Sequence, residues 1–180
     1  MPIEFGLWRI DGEGYSRLSS TKLDDESRLE DLIVEDPNML GRDLLIVGRQ
    51  VHTDSGNRLD LLGIDVEGNL PLIELKRDRT PRDVVAQALD YASWVRELGY
   101  EDVVDIFESF DDDREFEEAF GEKFSTARPE GESGVPEDIN QSHTLTIVAS
   151  ELDAATERII EYLSDEYSDP ESFCDLVERL

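Results

Sequence analysis

The sequence predicts an α/β domain, and three stretches carry that expectation. Residues 58–76 (RLDLLGIDVEGNLPLIELK) read as two strands about a glycine-containing turn, because apolar and polar residues alternate around it. Residues 80–99 carry the marks of a helix: Thr80 as cap, Pro81 at the first helical position, Asp83 in a box-like arrangement and Gly99 just beyond the end. Residues 143–150 (HTLTIVAS) then return to the pattern of a buried strand.

The other elements follow in chain order. IEFGLWRID near the N-terminus alternates as a strand, Asp11-Gly12-Glu13-Gly14 makes a turn, and Tyr15 to Lys22 forms a return strand. A helix starts near Asp24 or Asp25, either of which can cap it, buries Leu29, Leu32 and Ile33, and ends near Pro37. Glu30 lies beside that stripe. On spacing alone it reads as one more solvated acid, projection toward the sheet being the alternative. Asp43 to Val51 is a mostly apolar strand, and residues 52–57 (HTDSGN) turn the chain into the strand of Asp60. Past Lys76 a basic loop is expected. The helix after it has Val85, Ala88, Leu89, Ala92 and Val95 as its core stripe, with Val84, Gln87, Tyr91 and Trp94 beside it.

Glu97 to Asp138 is very acidic. Val103, Ile106, Phe107, Phe110, Phe116, Phe120 and Phe124 nevertheless keep helix-like spacing, so helices with a solvated acidic face are expected. Ser125 to Ser142 holds Pro129, Gly131, Gly134 and Pro136 without periodicity and reads as a mobile loop and candidate lid. Asp153 caps a helix that buries Ile159, Ile160 and Leu163, and Asp169-Pro170 opens a final one. The 180 residues suit a single domain: N-terminal strands at 1–23, a core at 24–96, acidic helices and a loop at 97–142, and a strand with helices at 143–180.

Composition narrows the chemistry. The formal net charge is −28, and only Lys22, Lys76 and Lys123 among the 17 basic residues are lysine. Such acidity with scarce lysine looks like adaptation to a cytoplasm of very high salt, where screening removes self-repulsion. An acidic interaction protein for basic partners is the other reading of that charge. The excess is uneven: from Arg42 to Arg82 seven basic residues meet seven acidic ones, so that segment is neutral. No apolar run approaches a membrane span, which leads to the expectation of a soluble cytoplasmic protein with no membrane partner. Cys174 is the single cysteine, which excludes an internal disulfide and a cysteine-rich zinc site. With only His52 and His143, a histidine metal cluster or a Ser-His triad has no support, and His143 reads as a structural residue at a strand start.

The hairpin carries the pattern that matters most. Glu74 and Lys76 share a strand face and Leu75 points the other way. For Asp60 to join them, the connecting loop must be odd in length, such as Glu67-Gly68-Asn69, or hold a bulge; a two-residue loop would turn Asp60 away. Gly68 can supply the positive φ that a three-residue loop wants, and Pro71, lacking a donor, belongs at the strand's start. Two carboxylates and a lysine on adjacent strands suit a divalent metal and a phosphate.

Asp60, then Glu74-Leu75-Lys76, then Gln87 with Tyr91, together resemble the PD-(D/E)XK phosphodiesterase superfamily, above all its NucS-like and RecB-like endonucleases. The motif-bearing likeness runs over residues 24–96, and residues 136–163 (PEDINQSHTLTIVASELDAATERIIEYL) resemble a tail found in some members. The resemblance implies a restriction-endonuclease-like core in αβββαβ order, a central mixed sheet flanked by helices, with the N-terminal strands as an addition. It implies a metal-dependent nuclease acting on DNA phosphodiester bonds in repair or defence, with Asp60, Glu74, Lys76 and Gln87 as catalytic residues. Asp60, Glu74 and the backbone carbonyl of Leu75 would hold Mg²⁺ or Mn²⁺, with Glu30 adding a further oxygen directly or through water. Arg58, Arg77, Arg79, Arg82 and Tyr91 would lie along the DNA. A homodimer or a larger repair or defence complex is left open. The alternative is a catalytically silent nucleic-acid-binding or partner-docking module on the same fold.

Overall fold

The computed structural model describes residues 8–11, 14–17, 25–80, 83–127 and 134–167; at 8–11, 14–17, 77–80, 150–152 and 164–167 it describes the backbone alone. Strands β1 (Trp8–Asp11) and β2 (Gly14–Arg17) form an antiparallel hairpin with a sheet of its own, as their alternation predicts. Helix α1 (Glu26–Glu35) begins at Asp25, whose side chain accepts the Arg28 N–H at 2.8 Å. A 3₁₀ turn (Pro37–Leu40) leads to strands β3 (Leu45–His52), β4 (Arg58–Ile64) and β5 (Leu70–Thr80). Helices α2 (Asp83–Val95), α3 (Tyr100–Phe110) and α4 (Phe116–Lys123) carry the chain to strand β6 (His143–Leu152), and helix α5 (Ala154–Tyr167) follows.

The central sheet has the order β3-β4-β5-β6, antiparallel among the first three strands and parallel between β5 and β6. A parallel pair needs a long crossover, and α2, α3 and α4 provide it. The expected mixed sheet flanked by helices is therefore the fold observed. It separates two apolar layers. Leu29 and Ile33 of α1 meet Leu61, Ile73, Leu75 and Val148 in one. Val84, Ala88, Tyr91 and Val95 of α2 meet Leu62, Leu72 and Ile147 in the other, together with Phe107, Phe116, Phe120 and Ile160. Leu72 and Ile73 fall in different layers because successive strand residues point to opposite faces.

Four expectations need correcting. Leu89, assigned to the core stripe of α2, is 41% exposed, while Val84 and Tyr91 from the adjacent stripe are buried. Val85, Ala88, Ala92 and Val95 are buried as expected, and with Val84 and Tyr91 they widen the buried face to the side away from Leu89. The basic loop after Lys76 is strand: β5 continues to Thr80 because β6 pairs with Arg79 and Thr80 beyond an irregularity in register. Thr80 thus ends a strand, and Pro81 and Arg82 lie outside the described residues.

The expected lid is pinned over residues 134–142. The Asn140 N–H donates to the Gly68 carbonyl at 2.8 Å, and its Nδ2 donates to the Val95 and Leu98 carbonyls at 2.7 and 2.9 Å. Val135 and Ile139 pack against the larger core layer; residues 128–133 and the expected final helix from Asp169 lie outside the described residues. Leu32, the last correction, is half-buried, and Glu30 takes its place inside.

The acidic stretch folds as its phenylalanine spacing predicts. Ring centroids of Phe107 and Phe116 lie 5.6 Å apart and those of Phe120 and Phe124 4.7 Å apart, so the aromatic faces of α3 and α4 pack inward and their carboxylates face water. Among the described residues, no helix is long and apolar enough to cross a membrane.

Candidate active site

The register of β4 on β5 pairs Leu61 with Ile73 and Leu62 with Leu72, which sets Asp60 opposite Glu74. The loop between them is odd in length. Asp65 donates its N–H to the Asn69 carbonyl at 3.1 Å, leaving Val66, Glu67 and Gly68 outside, one residue earlier than expected. Gly68 has φ 86° and supplies the left-handed position. Asp65 Oδ1 braces the turn by accepting the N–H groups of Glu67 and Asn69, each at 2.9 Å.

Beyond Leu61 the two strands are joined by a side chain. The Leu75 N–H donates to Asp60 Oδ2 at 2.7 Å. Beside it Glu74 is buried, 1% exposed. Its Oε1 accepts Lys76 Nζ at 2.6 Å, and its Oε2 has no hydrogen-bond partner among the described residues. Burial, and then the negative charge of Asp60, push the Glu74 carboxyl up to about 7 against the pull of Lys76. Burial works against the charged form of Lys76, but Glu74, Asp60 and Glu26 together hold its ammonium above the usual range. Two acids and a lysine thus converge on adjacent strands, near enough to Glu26 of α1 for its charge to act on Lys76.

Glu30 is not solvated. It is 6% exposed, receives Arg49 Nε at 2.7 Å on Oε2, and receives Gln50 Nε2 at 2.8 Å on Oε1. The same Gln50 nitrogen donates to Asp60 Oδ1 at 2.9 Å. Gln50 has φ 50°, outside the strand region. That reversal of the pleat lets two successive residues, Arg49 and Gln50, reach one carboxylate. Neither was singled out from sequence. A signal existed: pairing β3 with β4 across the HTDSGN turn aligns Arg49 with Leu61 and Val51 with Leu59, which puts Gln50 opposite Asp60.

Gln87 and Tyr91 form one unit. Gln87 Nε2 donates to the Tyr91 hydroxyl at 2.6 Å, and that hydroxyl donates to the Arg58 carbonyl at 2.6 Å. Tyr91, expected along the DNA, has no exposed surface, and its hydroxyl braces the start of β4 instead. Arg58 is exposed at the first position of β4. Arg77 and Arg79 are described only as backbone in β5, and Arg82 lies outside the described residues.

The donor set can be tested against a divalent ion. Among the described residues, no three histidine, cysteine, aspartate or glutamate side chains stand together in a way that would cage a metal. The Gln50 amide sits between Glu30 and Asp60, so Glu30 is not a free fourth ligand. Mg²⁺, however, needs only one or two protein carboxylates and fills its shell with water and phosphate. Asp60 and the unpartnered Glu74 Oε2 fit that demand, and Leu75 follows Glu74 on β5, paired with Val148 of β6.

A family model, the endonuclease NucS C-terminal domain, matches residues 25–114, half of the chain. The chain belongs to the NucS C-terminal domain family. The matched span contains α1, the three antiparallel strands and α2, and so every residue of the candidate site. Among solved structures, a repair endonuclease from Pyrococcus abyssi is 18% identical, with TM-score 0.47, over 92% of this chain and 51% of that one. EndoMS in a complex with dsDNA is 21% identical, with TM-score 0.47, over 94% and 50%, and EndoMS in apo form is 19% identical over 92% and 51%. The chain spans about half the length of these proteins.

Proposed function

We propose that the chain hydrolyses DNA phosphodiester bonds, in repair or defence, with Mg²⁺ or Mn²⁺ held at Asp60 and Glu74. The observation that carries this reading is the buried, unpartnered Glu74 Oε2 beside a second carboxylate. A protein keeps such a pair at a cost unless something positive completes it. Membership of the NucS C-terminal domain family supports the same conclusion.

The roles follow from position. The cation, when bound, supplies Lewis-acid polarisation of the phosphate and a nucleophile at neutral pH. Asp60 and Glu74 offer the charged oxygens, and the Leu75 carbonyl a neutral one. Lys76, compact and partly exposed, places a positive charge where the phosphate gains negative charge. Gln87 acts through Tyr91, holding the start of β4 and hence Asp60. Arg58, Arg77, Arg79 and Arg82 follow the DNA backbone. In the concentrated salt that the charge of −28 suits, counterion release contributes little, and direct phosphate contacts carry more of the affinity.

The test is DNA cleavage in concentrated KCl with Mg²⁺ or Mn²⁺, on supercoiled plasmid, single strands, flaps and mismatched duplexes. Metal-dependent cutting that disappears in Asp60→Ala and in Lys76→Ala is the expected result. Retention of DNA without cutting would establish instead a silent nucleic-acid-binding module. The Gln50 amide lodged between Glu30 and Asp60 is the observation that favours this second reading.

A further inference from the structure

We infer that Gln50 is a positioning residue for Asp60, holding that carboxylate in place from the side opposite to β5. The inference rests on the nuclease reading and adds a residue to it. Both oxygens of Asp60 are engaged: Oδ2 by the Leu75 N–H at 2.7 Å and Oδ1 by Gln50 Nε2 at 2.9 Å. One contact alone would let the carboxylate swing about it; two, from strands on either side, fix its plane. Gln50 is itself held, because the same nitrogen donates to Glu30 Oε1 at 2.8 Å and Arg49 grips Glu30 from its other oxygen at 2.7 Å. The chain from α1 through β3 to β4 is therefore continuous in hydrogen bonds. An amide suits the position between two acids, since a carboxylate would repel both and an ammonium would neutralise them.

The backbone supports the assignment. Gln50 stands at φ 50° inside a strand. For a long, unbranched residue the left-handed region is strained, because Cβ crowds the following carbonyl oxygen. Such strain persists where the surroundings over-determine it and gathers at functional sites. Here the turned backbone stands where two successive residues, Arg49 and Gln50, both reach Glu30, which the strict alternation of a regular strand does not provide.

The experiment separates positioning from folding. Glycine adopts φ 50° freely, so Gln50→Gly removes the amide and the strain together. Calorimetric titration of the full chain with Mn²⁺ in KCl is expected to show binding about 10- to 100-fold weaker in Gln50→Gly, the usual effect of losing a group that orients a ligand. Its melting temperature should stay level or rise. Should that variant not fold, Gln50→Met, which keeps the length and removes the donor, is read in its place. Asp60→Ala is the reference. An isotherm abolished by Asp60→Ala but unmoved by the Gln50 variant overturns the positioning role alone. Absence of any Asp60-dependent isotherm overturns the nuclease reading and this inference with it.

Discussion

The backbone N–H of Leu75 and the Asp60 carboxylate are joined at 2.7 Å, where β4 and β5 no longer pair through their backbones. The carboxylate does the work of a ladder carbonyl and keeps its second oxygen for Gln50. Removing it is therefore both a structural and a chemical change. Asp60→Ala leaves the Leu75 N–H without its acceptor and should cost about 1–3 kcal/mol in urea unfolding. Asp60→Asn retains an acceptor and should cost less. Both should lose divalent-ion binding, because the loss follows the charge and not the fold.

Glu74 predicts a pH dependence. Its folded-state pKa, about 7, lies above the ordinary 4.5, so between those values the folded protein holds a proton that the unfolded chain has released. Stability should therefore fall as pH rises through that window and level off above it. Thermal melts from pH 4.5 to pH 8 in chelator check the sign. In Glu74→Gln this slope should vanish, with the variant more stable at pH 8 by up to about 3 kcal/mol, less whatever Lys76 loses with its partner. Mn²⁺ affinity of the native chain should rise with pH over the same interval, since binding must displace the proton.

Tyr91→Phe deletes a hydroxyl that links Gln87 to the Arg58 carbonyl. The ring is fully buried and its packing survives, while two polar groups lose their partner. A loss of about 1–3 kcal/mol is expected from urea unfolding. DNA affinity should be unchanged, which a gel-shift titration at fixed KCl would reveal.

Gly48→Ala tests how closely α3 sits on the edge strand. A Cβ at Gly48 would lie 2.5 Å from Val51 Cγ2 and 2.7 Å from Ile106 Cγ2. Both neighbours are stiff, β-branched side chains, so the strand and helix must part. The expected cost is about 1–3 kcal/mol, seen as a lower urea midpoint with unchanged slope.

The odd loop places Asp60, Glu74 and Lys76 together, and that arithmetic needs only the two-residue period of a strand and a turn containing Gly68. Its exact position shifted by one residue without harm, because Val66 to Gly68 and Glu67 to Asn69 have the same length. The aromatic spacing of α3 and α4 was equally readable, since a helix repeats its face locally. Glu30 was not. Whether an acid beside an apolar stripe faces water or a sheet depends on what the sheet offers, and Arg49 and Gln50 are about twenty residues away in the chain. Leu89 and Tyr91 exchanged roles for the same reason: periodicity names the candidate faces of a helix, and the neighbouring strands select one.

The amino-acid sequence by itself determined the order of elements and the acid–acid–lysine pattern shared by two adjacent strands, because these rest on short-range geometry. Tertiary structure decided the rest. It extended β5 to Thr80 by pairing it with β6, buried Glu30 against β3, and turned Gln50 to φ 50° between two carboxylates. Each of these joins residues distant in the chain, and the energy of such a contact is set by the partner it meets and by the water it excludes, neither of which is written in local spacing.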